Sequence, residues 1–193
     1  MKWGDFQLYW ARPLKSILAI FNNKNLFFKY HHLQSSNLTF VDKKFEDKKK
    51  SFNNFKLYKD YFKKYQIVID QNKRKKFIEL ELLKKSKRKN LTIEISDKLL
   101  NEVTDLVNKP NILTCKFNDK FLQIPKEILI TTMQFHQKYF HTFDSKGNIT
   151  NNFLVVANNK DNKGFIKSGN ERVVNARLSD AQFFWEKNKS NNL

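Results

Sequence analysis

Apolar residues recur at helical spacing in five stretches of the chain. Residues 55–64 carry Phe55, Leu57, Tyr58, Tyr61 and Phe62, with Tyr65 just beyond. Residues 71–89 carry Phe77, Ile78, Leu80, Leu82 and Leu83, read as one core face. A third helix is predicted from Leu99, Leu100, Val103, Leu106 and Val107, a fourth over 125–135, and a fifth over 170–187 from Val173, Val174, Leu178, Ala181, Phe184 and Trp185. Each places its apolar side chains three and four residues apart, the period of one helix face. Between these lie short extended runs. Residues 14–21 fit a strand or a short buried helix, and 26–31 and 66–70 read as strands. The pairs 112–117 with 120–124 and 139–143 with 153–156 read as hairpins.

Turn and cap residues punctuate that pattern. Asn22-Asn23-Lys24-Asn25 predicts a hairpin turn, Asn118-Asp119 a second, and Ser145-Lys146-Gly147-Asn148 a third. Ser96 is placed to cap the third helix and Pro110 to end it, while Pro125 opens the fourth. The polar run 35–51 reads as a loop. Hairpins alternating with helices, without a glycine-rich βαβ turn, predict an α+β fold: a mixed or antiparallel sheet with packed amphipathic helices. The organisation expected is an N-terminal hairpin with a basic loop (1–50), a basic helical segment (51–95) and an α+β core (96–193). The densest patterning lies between 128 and 187.

Composition adds charge to this picture. The 193 residues include 37 Lys and Arg against 19 Asp and Glu, a formal net charge of +18. A charge of that size favours anionic partners. Two lysine clusters lie on the second helix: Lys73-Arg74-Lys75-Lys76, and Lys84-Lys85 running on to Lys87-Arg88-Lys89. They can line a phosphate backbone, or they can be a solvated helix face. The 40% hydrophobic content, with 19 Phe, excludes a disordered polyelectrolyte. No apolar run approaches the roughly 20 residues of a membrane span, and the N-terminus lacks the order of a signal peptide. These features predict a cytoplasmic protein without a membrane partner.

Candidate chemistry is sparse. Cys115 is the one cysteine, so no disulfide can form within the chain, and it reads as a small core residue. No Cys/His spacing fits zinc. His31-His32, read as strand neighbours, point to opposite faces, and His136 and His141 are five apart. Four glycines in all leave no phosphate-cradling loop. His136 near Asp144 or Asp180 could serve as a base, or be a packed histidine. His136, Gln137, Lys138 and Arg177 offer a donor-rich face for phosphate or ribose, against a structural reading in which Arg177 pairs with Asp180 at i, i+3. Arg12, beside two tryptophans, can stack on a base or pack on the surface. No catalytic residue and no metal ligand emerges. Lys73, Arg74, Lys75, Lys76, Lys84, Lys85, Arg88, His136, Gln137, Lys138, Arg172 and Arg177 stand as RNA-binding candidates.

Two blocks carry a stronger signal. One is His136-Gln137-Lys138-Tyr139-Phe140 followed by Asn152-Phe153-Leu154-Val155-Val156-Ala157-Asn158. The other is Gly169-Asn170-Glu171-Arg172-Val173-Val174, then Ala176-Arg177-Leu178-Ser179-Asp180-Ala181 before Phe183-Phe184. In order, spacing and residue type they resemble the β subunit of the bacterial two-subunit glycyl-tRNA synthetase. The likeness extends to Trp3-Gly4, Arg12-Pro13, Leu99-Leu100-Asn101-Glu102-Val103 with Leu106-Val107 and Pro110, and Lys116-Phe117 with Phe121-Leu122 and Pro125. One departure is clear: Asp42-Lys43-Lys44-Phe45 stands where the family has Gly-His-Arg-Phe. The likeness covers an inner part of the family's chain, without its start, its HD-like domain or its anticodon-binding domain, as in a fragment or truncated product.

The resemblance implies a hetero-oligomeric glycine–tRNA ligase that joins glycine to tRNA(Gly) using ATP. It places the adenylate-forming site, with ATP and Mg, on the partner α subunit, and no cofactor on this chain. This region would then bind tRNA(Gly) and support the α subunit. The competing readings are a stand-alone basic RNA-binding module and a hydrolase or editing domain centred on His136.

Overall fold

A computed structural model describes residues 1–2, 4–11, 14–41 and 48–190. The expectations attached to Trp3, Arg12-Pro13 and Asp42-Lys43-Lys44-Phe45 lie outside the described residues. The chain divides into two compact units, Met1–Tyr65 and Gln66–Leu193. That boundary falls inside the stretch 51–95 expected to stand as one basic helical segment. Both units are α+β, as the sequence pattern predicts.

The first unit is built from very short strands: β1 (Ile17–Leu18), β2 (Ile20–Phe21), β3 (Lys24–Asn25), β4 (Lys29–Tyr30), β5 (Leu33–Ser36), β6 (Leu38–Phe40) and β7 (Lys49–Ser51), followed by helix α1 (Phe55–Lys64). β1 runs parallel to β5, which pairs antiparallel with β4; β2–β3 and β6–β7 are separate hairpins. Asn22 and Asn23, both left-handed at φ 47° and 61°, make the β2–β3 turn. Two consecutive positive-φ residues match the right-handed twist of a two-residue hairpin, and asparagine tolerates that region. The run 35–51 is therefore not a plain loop, because β6 and β7 pair within it. His31 and His32 form the β4–β5 turn rather than a strand, with His31 at φ 52°. Phe52 is the buried centre of this unit, ringed by Tyr58, Tyr61 and Phe62 of α1 at centroid distances of 5.3, 5.4 and 6.1 Å. The Asn54 side chain starts α1 by accepting the Leu57 N–H at 2.9 Å.

The second unit is three layers deep. Its antiparallel sheet has the order β8 (Thr92–Ile93), β10 (Phe140–Phe143), β11 (Ile149–Ala157), β9 (Asn111–Lys116). Helices α2 (Gln71–Lys87) and α3 (Asp97–Leu106) cover one face, where Ile78, Leu82, Leu100 and Val103 pack with Ile112, Phe140 and Leu154. Helix α4 (Lys126–Thr131) and the long helix α5 (Phe165–Ser190) cover the other, where Leu129, Met133, Val174 and Leu178 pack with Cys115, Phe153 and Val155. The two-residue period of β11 produces both cores: Leu154 and Val156 face α2 and α3, Phe153 and Val155 face α5. Phe121, Phe140 and Phe153 are among the fully buried side chains. Each such ring contributes about 1.5–3 kcal/mol over exposure.

Several local expectations differ. Residues 120–124 do not pair with β9. Asn118 accepts the Lys120 N–H at 3.0 Å and starts a 3-10 turn over Asp119–Gln123, so β9 pairs with β11 instead. The run 66–70 is extended but joins no sheet; the Val68 N–H goes to the Asn108 carbonyl. Helix α5 begins at Phe165, not near Asn170, because the Asp161 carboxylate accepts the N–H groups of Ile166 and Lys167 at 3.1 and 2.8 Å. It runs through Ser190, where a frayed tail from Asn188 was expected. On α2 only Ile78 and Leu82 of the expected apolar stripe are buried; Phe77, Leu80 and Leu83 point outward.

Candidate nucleic-acid interface

Helix α2 starts at Asp70, whose carboxylate accepts the Lys73 N–H at 2.9 Å. Its candidate cations divide by partner. Arg74 donates through Nε to the Thr104 carbonyl at 2.9 Å, and through Nη1 to the carbonyls of Val68 at 2.5 Å and Ile69 at 3.2 Å. It binds α3 and the incoming strap to α2, and its role is structural. Lys75 pairs with Asp97 at 3.0 Å and Lys84 with Glu81 at 3.1 Å. The side chains of Lys73, Lys76, Lys85 and Arg88 make no ion pair or hydrogen bond among the described residues. Lys87 and Lys89 are exposed beside them, and the Lys89 amine is 3.4 Å from Asn152 Oδ1 on β11.

On the opposite layer, α4 runs into a π-helical turn, Thr132–His136. The turn closes with Lys138 N–H on the Gln134 carbonyl and Tyr139 N–H on the Met133 carbonyl, at 3.2 and 2.9 Å. Lys138 takes the left-handed conformation there, φ 60°, usual for a residue just past a helix end. That geometry buries Tyr139 and sends the Lys138 amine to Glu102 of α3 at 2.9 Å. The expected donor face of His136, Gln137, Lys138 and Arg177 is thus reduced: Lys138 is committed to a carboxylate. His136 stands exposed and Gln137 half-buried, with no hydrogen bond from either side chain among the described residues.

The run Gly169–Ala181 lies on α5 and divides by face. Its inward polar residues tie the helix to the sheet and the π turn. Glu171 accepts the Lys116 N–H at 2.9 Å, Asn175 accepts the Asn118 N–H at 2.9 Å, and Asn170 accepts the Tyr139 hydroxyl. Arg172 and Arg177 project outward. The local ion pair of Arg177 with Asp180 does not form. The candidates therefore occupy two surfaces on opposite sides of the sheet: α2 on one, His136, Arg172 and Arg177 on the other.

Burial sets the titration of the interior groups. Desolvation, with the Glu171 carboxylate second, pushes the Cys115 thiol up to about 12. Desolvation also raises the Tyr139 hydroxyl to about 12. His141, which sequence reasoning left unpaired with any role, is buried on β10. The Gln134 amide donates to its Nδ1 at 3.2 Å, and its Nε2 has no partner. Burial lowers its pKa against a smaller opposing pull from Glu94. No group of three or more His, Cys, Asp or Glu among the described residues is arranged to hold a metal. No described helix is long and apolar enough to cross a membrane.

A basic two-unit α+β chain, with cations on outer helix faces and the polar residues of the run Gly169–Ala181 tied into the fold, is the class these observations define. Comparison with known families makes this particular. The family described as glycyl-tRNA synthetase beta subunit matches residues 1–193, and the chain belongs to it. The glycine–tRNA ligase beta subunit of Rickettsia akari (strain Hartford) is 38% identical over 187 residues, covering 96% of this chain and 28% of that protein. Its counterpart in Rickettsia bellii (strain OSU 85-389) is 37% identical over 194 residues, covering 100% of this chain and 30% of that protein. The chain thus spans under a third of the length of these relatives.

Proposed function

We propose that this chain serves glycyl-tRNA synthesis as part of a glycine–tRNA ligase β subunit, binding tRNA(Gly) and associating with an α subunit in a cytoplasmic hetero-oligomer. ATP and Mg act at the α subunit, and this chain supplies binding energy and orientation. The observation that carries the tRNA reading is the outer side of α2. There Lys73, Lys76 and Arg88 are exposed without a carboxylate partner among the described residues, in a chain of net charge +18, while Lys85, seven residues after the buried Ile78, is half-buried. Cations of this kind gain by releasing the counterions of a phosphate backbone. Arg172 and Arg177 on α5 offer a second set. The exposed Phe77, Leu80 and Leu83 on α2, and Phe183 and Phe184 on α5, suit protein contact with the α subunit better than contact with phosphate.

The test is binding of fluorescent tRNA(Gly) against an unrelated RNA of equal length, across a salt series. A steep salt dependence with preference for tRNA(Gly) is expected. Equal binding of both would favour a generic RNA-binding module, and no binding at low salt would remove RNA and leave the α subunit as the partner.

A further inference from the structure

The β4–β5 turn of the first unit carries rings that its own core does not use. His32 stacks on Phe6 with centroids 3.6 Å apart and planes 14° apart. Tyr30 meets His31 edge-on at 4.8 Å. The left-handed residue His31 puts both imidazoles at the tip of the turn. All four rings are exposed, Phe6 at 48% and Tyr30 at 44%, while the buried hydrophobic centre of the unit is Leu8 and Phe52. A two-ring parallel stack consumes one face of each ring and leaves an outer face that a further planar group can cover. The unit as a whole is cationic in sequence, although Asp5 directly precedes Phe6. Residues 1–65 contain fourteen Lys and Arg against five Asp and Glu, a net +9, and Lys29 directly precedes Tyr30.

We infer that the Phe6–His32 stack is a platform for unpaired bases of single-stranded RNA, with Lys29 and neighbouring lysines meeting the phosphates. Phe, Tyr and His are ring types on which splayed RNA bases stack, and such stacking tolerates any base. What favours a base over a protein side chain here is the parallel imidazole–phenyl stack in a cationic unit, an arrangement that a flat base can extend. The inference deepens the RNA reading above and rests on it, but it concerns a different surface from α2. It predicts recognition of base faces, where α2 recognises charge alone.

The test compares a fluorescent eight-nucleotide oligoadenylate with an abasic ribose-phosphate oligomer of equal charge, binding the intact chain at fixed salt. The bases should tighten binding by about tenfold or more. Phe6→Leu and His32→Ala should bring the two probes toward equal affinity while leaving the abasic one unchanged. Phe6→Trp, with a larger ring, should keep or widen the difference, a result that misfolding could not produce. Equal binding of the two probes by the unaltered chain, or discrimination that survives Phe6→Leu and His32→Ala, would overturn the platform and leave tRNA binding through α2 standing. Failure to bind either probe or tRNA(Gly) would overturn both.

Discussion

The Glu171 carboxylate on α5 accepts the backbone N–H of Lys116, at the end of β9, at 2.9 Å. It satisfies a donor at the sheet edge where β9 runs on into the Asn118 turn, and Asn175 takes the N–H of Asn118 one helical turn later. Lys116 is exposed, so removing the acceptor hands its N–H to water and loses only the net worth of the hydrogen bond. Glu171→Ala should therefore cost about 0.5–1.5 kcal/mol in chemical denaturation, while Glu171→Gln, which keeps an amide oxygen, should cost less.

Arg74 should behave as a structural residue despite lying in a lysine cluster. Its guanidinium serves three backbone carbonyls, on Val68, Ile69 and Thr104. Lysine cannot reproduce that fork. Arg74→Lys should lower stability by about 1.5–3 kcal/mol. RNA affinity measured on the folded variant should be unchanged, because lysine keeps the positive charge and the lost donors served backbone carbonyls, not phosphate.

The interior should register pH through His141. Burial lowers its folded pKa, so the unfolded chain binds a proton first as pH falls below about 6.5, and the native state is disfavoured from there downward. Stability from this group is present above that pH and declines through the window toward the depressed folded value. Denaturation midpoints between pH 7 and 5 should show the decline, and His141→Gln should remove it. The Asp144 carboxylate acts in a separate, lower window. Hydrogen bonds from Asn148 and Lys146 hold its pKa below the usual value, so its contribution is lost only as pH falls through the carboxylate range.

Cys115 should resist alkylation in the native state. With its pKa at about 12 and no exposed surface, it is about one part in ten thousand thiolate at pH 8. Reaction with a thiol reagent should follow global unfolding, so its rate should rise in step with denaturant rather than with pH alone.

How legible the fold was in the sequence depends on where each element's partners lie. Helix α3 was readable from Ser96, whose hydroxyl accepts the Leu99 N–H at 3.2 Å, and from its apolar spacing. The β10–β11 hairpin was readable because its turn residues, Asp144 to Asn148, close on themselves. The 120–124 strand was misread because a local side-chain bond from Asn118 outcompeted pairing. The strands of the first unit, several only two residues long, are too short for periodicity to register. The candidate site was less legible still. That α2 carries cations is plain, but Arg74, Lys75 and Lys138 find their partners in Thr104, Asp97 and Glu102, about 20 to 36 residues away in the chain. Likewise, Phe77 and Leu80 belong to an apolar pattern that surrounds the helix, and periodicity could not say which side faced the core.

The most direct measurement of tRNA contact through α2 is the salt dependence of tRNA(Gly) binding after Lys73, Lys76 and Arg88, all exposed, are changed to Gln. Each lost phosphate contact should reduce the slope of log affinity against log salt by about 1. The account predicts a slope shallower by about 2–3 with folding stability unchanged, while Arg74→Lys leaves the slope as it was. An unchanged slope in the triple variant would contradict the assignment of tRNA contact to α2.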